Sequence, residues 1–322
     1  MKKTVFGSPE KPETWIYKAE NGMFIHEIEI ASNKPDTEPI RILDMADMHF
    51  NYANDADKDN EEIMDTIKYR MWNANGASVK VAKRVAEYSK NFDKTVICGD
   101  VLDYLSCGAM ELMDKYVWDA IPGVIVPIGG HELTREMQTG KPDKEPLEAR
   151  QKVVADFWRH DIYYYSEVLG EKVMLISLDN SCGKYWEHQI PKFEADIKKA
   201  RENGYIILIF QHEPISTNNP ADSNAETYCE QDGTNYDFYK LPIGGDFEDN
   251  EASKKMYALI TGNADVIKGI FCGHLHSAYY TEVRGSYIDS DGNRKETVIP
   301  QHNMEGVVYD DYVGHIMEIT VK

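Results

Sequence analysis

The sequence lacks the segments that would carry it into or across a membrane. Two lysines follow Met1, as in the basic region of a signal peptide, but no apolar stretch comes after them. No run approaches the roughly 18 consecutive apolar residues that a membrane-spanning helix needs. We therefore expect no membrane association.

Cysteine is also scarce, with five residues in a chain of 322. The number is odd, and the spacing contains no paired metal-ligand motif. Cys98 and Cys272 end apolar runs, which predicts buried free thiols rather than disulfides. A reducing, cytoplasmic location fits this pattern best.

Positive charge is in short supply. Lysine and arginine number 35 against 55 aspartates and glutamates, which gives a formal net charge of −20. So acidic a surface is unsuited to tracking a nucleic-acid backbone, and we expect no nucleic-acid partner. A small anionic substrate is still compatible, because bound metal ions invert the field inside a cleft. Nothing in the sequence indicates an oligomeric state.

No internal repeat or low-complexity linker interrupts the chain, and short apolar runs alternate with helical patterns along most of it. Strands are predicted at 23–30, 41–47, 95–98, 124–128, 173–178, 206–210 and 267–272. Helices are predicted at 77–91, 110–120, 146–157, 191–203 and 251–261. Runs apolar on both faces and separated by helices are typical of buried sheet strands with helical layers outside.

The C-terminal part of the chain changes to short strands and turns, with Asp291-Gly292-Asn293 as a hairpin signal. We expect residues 279–321 to complete a second sheet rather than to form a separate domain. The prediction is one domain over residues 1–322, to whose sheets the segments 1–40 and 279–322 contribute strands.

Five of the apolar runs end in aspartate or histidine at a tight turn. In chain order these turns are Asp47-Met48-His49, Gly99-Asp100-Val101-Leu102-Asp103, Gly129-Gly130-His131-Glu132, Gln211-His212-Glu213-Pro214 and Gly273-His274-Leu275-His276. Ligands bind at the carboxyl ends of strands in open α/β sheets, so we expect these groups to converge at one edge. Each motif alone is a weak signal, but the ordered set has a chance probability below roughly 3%.

Convergence of aspartates and imidazoles makes physical sense when a cation binds them, because their desolvation is otherwise costly. Mixed carboxylate and imidazole ligands suit Mn, Fe, Zn or Ni better than Ca or Mg. The sequence therefore predicts a site for divalent transition metals.

The ordered set resembles the calcineurin-like metallophosphoesterase superfamily, over most of the chain from Asp47 to His276. The resemblance implies an α/β fold, a four-layer α/β/β/α sandwich of two mixed sheets around a two-metal site. It implies that Asp100 bridges the metals, and that the remaining ligands are Asp47, His49 and His276 for the first metal and His212 and His274 for the second. It also implies that His131 is the acid near the leaving group and that Asp103 orients its ring.

The activity implied by this resemblance is metal-dependent hydrolysis of a small-molecule phosphomonoester or phosphodiester. A metal-bound hydroxide would attack phosphorus while His131 protonates the departing oxygen. The alternative is a catalytically impaired binding or scaffold module of the same fold.

That alternative arises from one departure from the family pattern, because Gly130 stands where the pattern has an asparagine ligand to the second metal. Three interpretations stay open: water or another side chain completes the coordination, the second metal binds weakly, or turnover is lost. Asn180, His302 and Asn303 are candidate substitutes.

Substrate specificity is expected to reside in the two long polar segments, 51–76 and 215–250. Lys184, Tyr185 and Trp186 follow a predicted strand end, and they are candidates for lining the cleft.

Overall fold

The computed structural model describes residues 16–20, 23–70, 77–215, 250–276, 279–304, 306–307 and 315–322. Its strands are β1 (Ile16–Glu20), β2 (Met23–Ile30), β3 (Ile40–Met45), β4 (Lys94–Ile97), β5 (Tyr164–Leu169), β6 (Val173–Leu178), β7 (Ile206–Phe210), β8 (Ile267–Cys272), β9 (Tyr279–Ile288), β10 (Arg294–Asn303) and β11 (His315–Val321). Its α-helices are α1 (Glu61–Arg70), α2 (Ala77–Ser89), α3 (Cys107–Met113), α4 (Glu136–Thr139), α5 (Leu147–Phe157), α6 (Ile190–Asn203) and α7 (Glu251–Thr261). None of these helices has the length and apolar character that crossing a bilayer requires.

The strands form two mixed sheets. The first has the order β1-β2-β11-β3-β4 and the second the order β5-β6-β7-β8-β10-β9. In the first sheet β3 and β4 are parallel, and in the second β6, β7 and β8 are parallel. The carboxyl ends of these five parallel strands carry most of the predicted site, as the carboxyl-end rule for parallel strands requires.

Three apolar cores separate four layers. Between the sheets, Ile42 and Val96 of the first pack with Leu208 of the second in one buried cluster. Helices α2, α3 and α5 cover the outer face of the first sheet, and α6 and α7 cover that of the second. Every residue of β6 and β7 is buried, because each strand has a core on both faces. The predicted four-layer α/β/β/α sandwich is confirmed.

Local sequence signals explain where several helices begin and end. Ser106 caps α3 by accepting a hydrogen bond from the backbone N–H of Ala109, and Asn250 caps α7 in the same way through Ser253. Helix α6 has proline in its first turn and ends at Gly204 in the left-handed conformation. The hairpin signal is also confirmed, since β9 and β10 pair antiparallel across Gly292.

Some predicted elements are wrong. Residues 124–128 form no regular strand, because only Ile125 bridges to Val96 before the chain turns into the site. The predicted helix over 110–120 is divided into α3 and a π-helical turn, Asp114–Trp118. The C-terminal strands do not all join the second sheet, since β11 lies between β2 and β3 in the first. Strands β1 and β5 were not predicted.

Candidate functional site

The structure brings together all eight side chains predicted for the site. Asp47, His49, Asp100 and His276 each present one ligand atom, and these atoms lie within 4.8 Å of one another. Two further groups of the same closeness overlap this one, formed by Asp100 with His212 and His274 and by His49 with Asp103 and His131. The site is therefore a chain of three overlapping groups, with Asp100 and His49 as the shared members.

The backbone is strained at five of the predicted metal ligands. Six non-glycine residues in the described chain have positive φ, and five of them are Asp47 (56°), His49 (48°), Asp100 (51°), His274 (72°) and His276 (50°). Such angles are uncommon for residues with a Cβ and cost free energy that the surrounding structure must offset. Each of the five lies two to four residues after the end of β3, β4 or β8, where the chain turns at the shared edge. Strain of this kind clusters at functional sites.

Three glycines let the site pack closely. A Cβ on Gly99 would lie 2.5 Å from His212 Nδ1, and a Cβ on Gly273 would lie 2.5 Å from Asp47 Oδ2. A Cβ on Gly129 would overlap Asp100 and lie 2.9 Å from its Cγ. Each of these glycines is therefore required by the side chain that lies against its backbone.

Asp100 lies at the centre of the site and is almost fully buried. Its Oδ1 accepts a hydrogen bond of 2.9 Å from the backbone N–H of His131. Its Oδ2 lies 3.1 Å from His212 Nε2, 3.8 Å from His131 Nε2 and 4.0 Å from His49 Nε2. Although burial opposes ionisation, the surrounding imidazoles hold the pKa of Asp100 well below its usual range. Asp100 thus presents a carboxylate to three ring nitrogens.

The ring of His212 shows how well the site suits a cation. Its Nδ1 lies 2.8 Å from the carbonyl oxygen of Cys98, which can only accept, so Nδ1 carries the hydrogen. That leaves the lone pair of Nε2 facing Asp100 Oδ2 in a fully buried position. Burial lowers the pKa of His212, but the Asp100 carboxylate outweighs it and raises that pKa to about 10. Either a proton or a metal ion has to occupy this position, and the donor set fits a divalent metal.

The rings of His49 and His274 are neutral at physiological pH. Burial lowers the pKa of His49 to about 4 and that of His274 to about 3. His49 Nδ1 lies 3.0 Å from Asp103 Oδ1, and its Nε2 lies on the opposite side of the ring, 2.8 Å from His276 Nε2. A carboxylate that orients an imidazole through its second nitrogen is typical of metal-binding histidines.

Asp103 contacts both His131 and His49. Nδ1 of His131 lies 3.1 Å from the carbonyl oxygen of Asp103 and 3.2 Å from its Oδ1. The predicted contact between the two residues is therefore present, but the same Oδ1 also holds His49. Sequence reasoning missed Asn51, whose Nδ2 donates to Asp103 Oδ2 at 3.0 Å. The available signal was its position two residues after His49.

Glu132 holds two of the motif loops against each other. It is fully buried, and its carboxylate accepts from the backbone N–H groups of Gly129 (2.8 Å), Leu102 (3.0 Å) and Asp100 (3.2 Å). Burial, followed by repulsion from Asp100, raises the pKa of Glu132 to about 7. The sequence placed Glu132 in a motif but indicated no partner for it.

The proposed substitutes for the missing asparagine have other contacts. Asn180 exchanges two hydrogen bonds with the backbone of Glu213, at 2.7 and 3.1 Å. His302 stacks on Phe271 with ring centroids 5.4 Å apart, and Asn303 donates to the carbonyl oxygen of Met304 at 3.2 Å. Among the described residues, His302 belongs to none of the groups that could hold a metal ion.

The predicted cleft residues lie in different surroundings. Tyr185 is fully buried, with its hydroxyl donating to Gln211 at 2.7 Å, so its predicted role in lining a cleft is wrong. Trp186 is half-buried and donates to Asp179 at 2.7 Å, while the Lys184 ammonium lies 4.9 Å from the centre of its ring. Of the two segments expected to set specificity, 71–76 and 216–249 lie outside the described residues.

No family model matches the sequence, and no curated protein matches it. Among solved structures, the chain is similar to a dimetal phosphatase from Danio rerio, with 12% identity and a TM-score of 0.46 over 87% of this chain and 98% of that one. It is also similar to a purple acid phosphatase from yellow lupin (Lupinus luteus) seeds, with 13% identity and a TM-score of 0.44 over 92% of this chain and 46% of that one. This chain therefore spans less than half of the lupin protein's length.

A calcineurin-like phosphoesterase from Bacillus subtilis is a further solved structure to which the chain is similar. The identity is 13% and the TM-score 0.27, over 88% of this chain and 90% of that one. All three are distant similarities of fold.

Proposed function

We propose that this chain is a metal-dependent phosphoesterase that hydrolyses a small-molecule phosphomonoester or phosphodiester. The observation that carries the proposal is the convergence of aspartate and histidine side chains from five separate turns of the chain. Five of these residues have a strained backbone with positive φ. A purely structural cluster of buried carboxylates and imidazoles would have no reason to retain that strain.

The cofactors we propose are two divalent ions, drawn from Mn, Fe, Zn or Ni. The proposed ligands are Asp47, His49, Asp100, His212, His274 and His276, with Asp100 shared between the two positions. Such ions, when bound, lower the pKa of water and offset negative charge on phosphoryl oxygens. Donating a proton to the leaving oxygen, and orienting the residue that donates it, are the roles we propose for the chain's own side chains.

His131 is the residue we propose as the general acid. Its Nδ1 is positioned to donate to the carbonyl oxygen of Asp103, which leaves Nε2 as the atom that carries the transferable proton. This Nε2 lies 3.8 Å from Asp100 Oδ2. With 17% of its side chain exposed, His131 is also more accessible than His49 or His212, as a group that meets a leaving oxygen must be.

Asp103 and Asn51 position this acid rather than react. The carbonyl oxygen of Asp103 orients the ring of His131, its Oδ1 orients the ring of His49, and Asn51 donates to its Oδ2. The Asp103 carboxylate therefore lies between the two imidazoles, 3.0 Å from Nδ1 of His49 and 3.2 Å from Nδ1 of His131.

The experiment that tests the proposal is an initial-rate assay on p-nitrophenyl phosphate and bis-p-nitrophenyl phosphate. The protein is first stripped with a chelator, and Mn, Ni, Zn, Fe or Mg is then restored separately. Asp100→Asn serves as the control, since it keeps the shape of the side chain and removes its charge. Metal-restored activity that is absent from Asp100→Asn would support the proposal and indicate the ester class.

No activity with any metal, in protein shown to be folded, would favour the binding-module alternative.

We further propose that residues 1–322 form one domain and that the protein is cytoplasmic. The second proposal is supported by free thiols at Cys98, Cys107, Cys182 and Cys272.

A further inference from the structure

The two proposed metal positions differ in how many ligand atoms the described chain supplies. Asp47, His49, Asp100 and His276 supply four atoms at the first position. At the second, the group consists of three atoms, from Asp100, His212 and His274. Because Asp100 belongs to both groups, the second position has only two ligands of its own among the histidine, cysteine and acidic side chains that the structure describes.

By the resemblance to the superfamily pattern, Gly130 occupies the place of a further ligand, and the structure leaves room for a side chain there. A Cβ on Gly130 would meet a single atom within 4 Å, the carbonyl oxygen of Ser181 at 3.4 Å. Its φ lies outside the left-handed region, so a side chain there would be unstrained. Gly99, Gly129 and Gly273 differ sharply, since a Cβ on any of them would overlap the site.

The residues next to Gly130 do not present an obvious replacement. The carbonyl oxygen of Ser181 lies beside it, but the amide of Asn180 is engaged with the backbone of Glu213. The side chain of Ser181 donates to Asp179 at 2.6 Å. The polar side chains of Asn180 and Ser181 therefore already have partners.

We propose that Gly130 makes this centre unequal, with one tightly held divalent ion at the four-ligand position and one weakly held, exchangeable ion at the three-ligand position. The inference rests on the proposed function for its consequence, which is that activity follows the free metal concentration. Loss of a group that supports a metal site typically costs about 10–100-fold in metal affinity, and we expect the two dissociation constants to differ by about that factor.

The test measures bound metal directly. Chelator-stripped protein is dialysed to equilibrium against a series of Mn²⁺ concentrations, and bound manganese is counted by mass spectrometry. The wild type should bind one equivalent tightly and a second about 10–100-fold more weakly. Gly130→Asn should tighten the second equivalent alone, whereas Gly130→Ala, which adds a Cβ without a ligand atom, should leave it weak.

Two single substitutions show which position in the site binds each equivalent of manganese. His276→Ala should abolish the tight equivalent, and His212→Ala should abolish the weak one, with folding verified by circular dichroism. Two equally tight equivalents in the wild type would overturn the proposal. It would also be overturned if Gly130→Asn and Gly130→Ala bound the second manganese alike.

The p-nitrophenyl ester assay on the same preparations separates this inference from the proposed function. Unequal binding without hydrolysis would leave the inference standing and remove the activity. Hydrolysis with two equally tight ions would support the proposed activity and overturn the inference of unequal metal binding.

Discussion

Replacing Gly129 by alanine should disrupt the site, although the same change at the adjacent Gly130 should be tolerated. A Cβ on Gly129 would overlap Oδ1 and the backbone nitrogen of Asp100 and lie 2.9 Å from Cγ. Carbon atoms pack at about 3.5–4.0 Å, so the Asp100 carboxyl has to move by about 0.6–1 Å. A Cβ on Gly130 meets only the Ser181 carbonyl oxygen, at 3.4 Å.

The magnitude follows from this displacement. Overpacking of a dense interior costs about 1–3 kcal/mol, which sets the expected loss in free energy of unfolding for Gly129→Ala. A misplacement of about 1 Å in a catalytic group costs about 10²-fold in rate. Because Asp100 also holds the backbone N–H of His131, the displacement reaches the proposed acid as well.

The assay compares Gly129→Ala with Gly130→Ala in thermal midpoint and in metal-restored initial rate on p-nitrophenyl phosphate. We expect Gly129→Ala to melt earlier and to fall about 10²-fold below Gly130→Ala in rate. Equal midpoints and equal rates would refute the packing argument, because they would mean that the Asp100 turn shifts without cost.

Three other changes test separate parts of the site and the fold. His131→Ala should slow hydrolysis of an ester with a poor leaving group by about 10²–10⁴-fold, and an unchanged rate would remove His131 from the mechanism. Asn51→Ala deletes a hydrogen bond to a carboxylate worth about 1.5–3 kcal/mol. It should therefore lower kcat by about 10–100-fold, and an unchanged kcat would contradict a positioning role for Asn51. Burial lowers the pKa of His160, whose Nε2 accepts a hydrogen bond from the backbone N–H of Val126. The folded protein therefore binds fewer protons at this ring than the unfolded chain does. The free energy of unfolding consequently falls as the pH drops below about 6.5, the ordinary pKa of histidine. His160→Asn should reduce that pH dependence of the thermal midpoint, and identical curves would disprove the assignment.

The elements predicted correctly are those with strong local signals. Runs such as Ile206–Phe210 are apolar at every position, and that pattern persists whatever surrounds it. Strand β5, by contrast, carries polar side chains on a half-exposed edge and was missed. Residues 124–128 look like a strand, but they have only a single bridge, because the chain must turn early to place His131 beside Asp100.

The sequence by itself determined which chemical groups the site contains and the order in which they occur. An apolar run, a tight turn and an aspartate or histidine are local properties, and five repetitions of that pattern predicted which side chains converge at one edge. The unusual glycine at position 130 was equally visible.

Only the tertiary structure decided which groups meet. Asp103 and His49 are 54 positions apart, and their contact depends on how β3 and β4 pair side by side. The roles of Asn51 and Glu132, and the room beside Gly130, follow from loops brought together across long stretches of chain. Hydrogen bonds act over about 3 Å of space, so a local sequence pattern does not specify them.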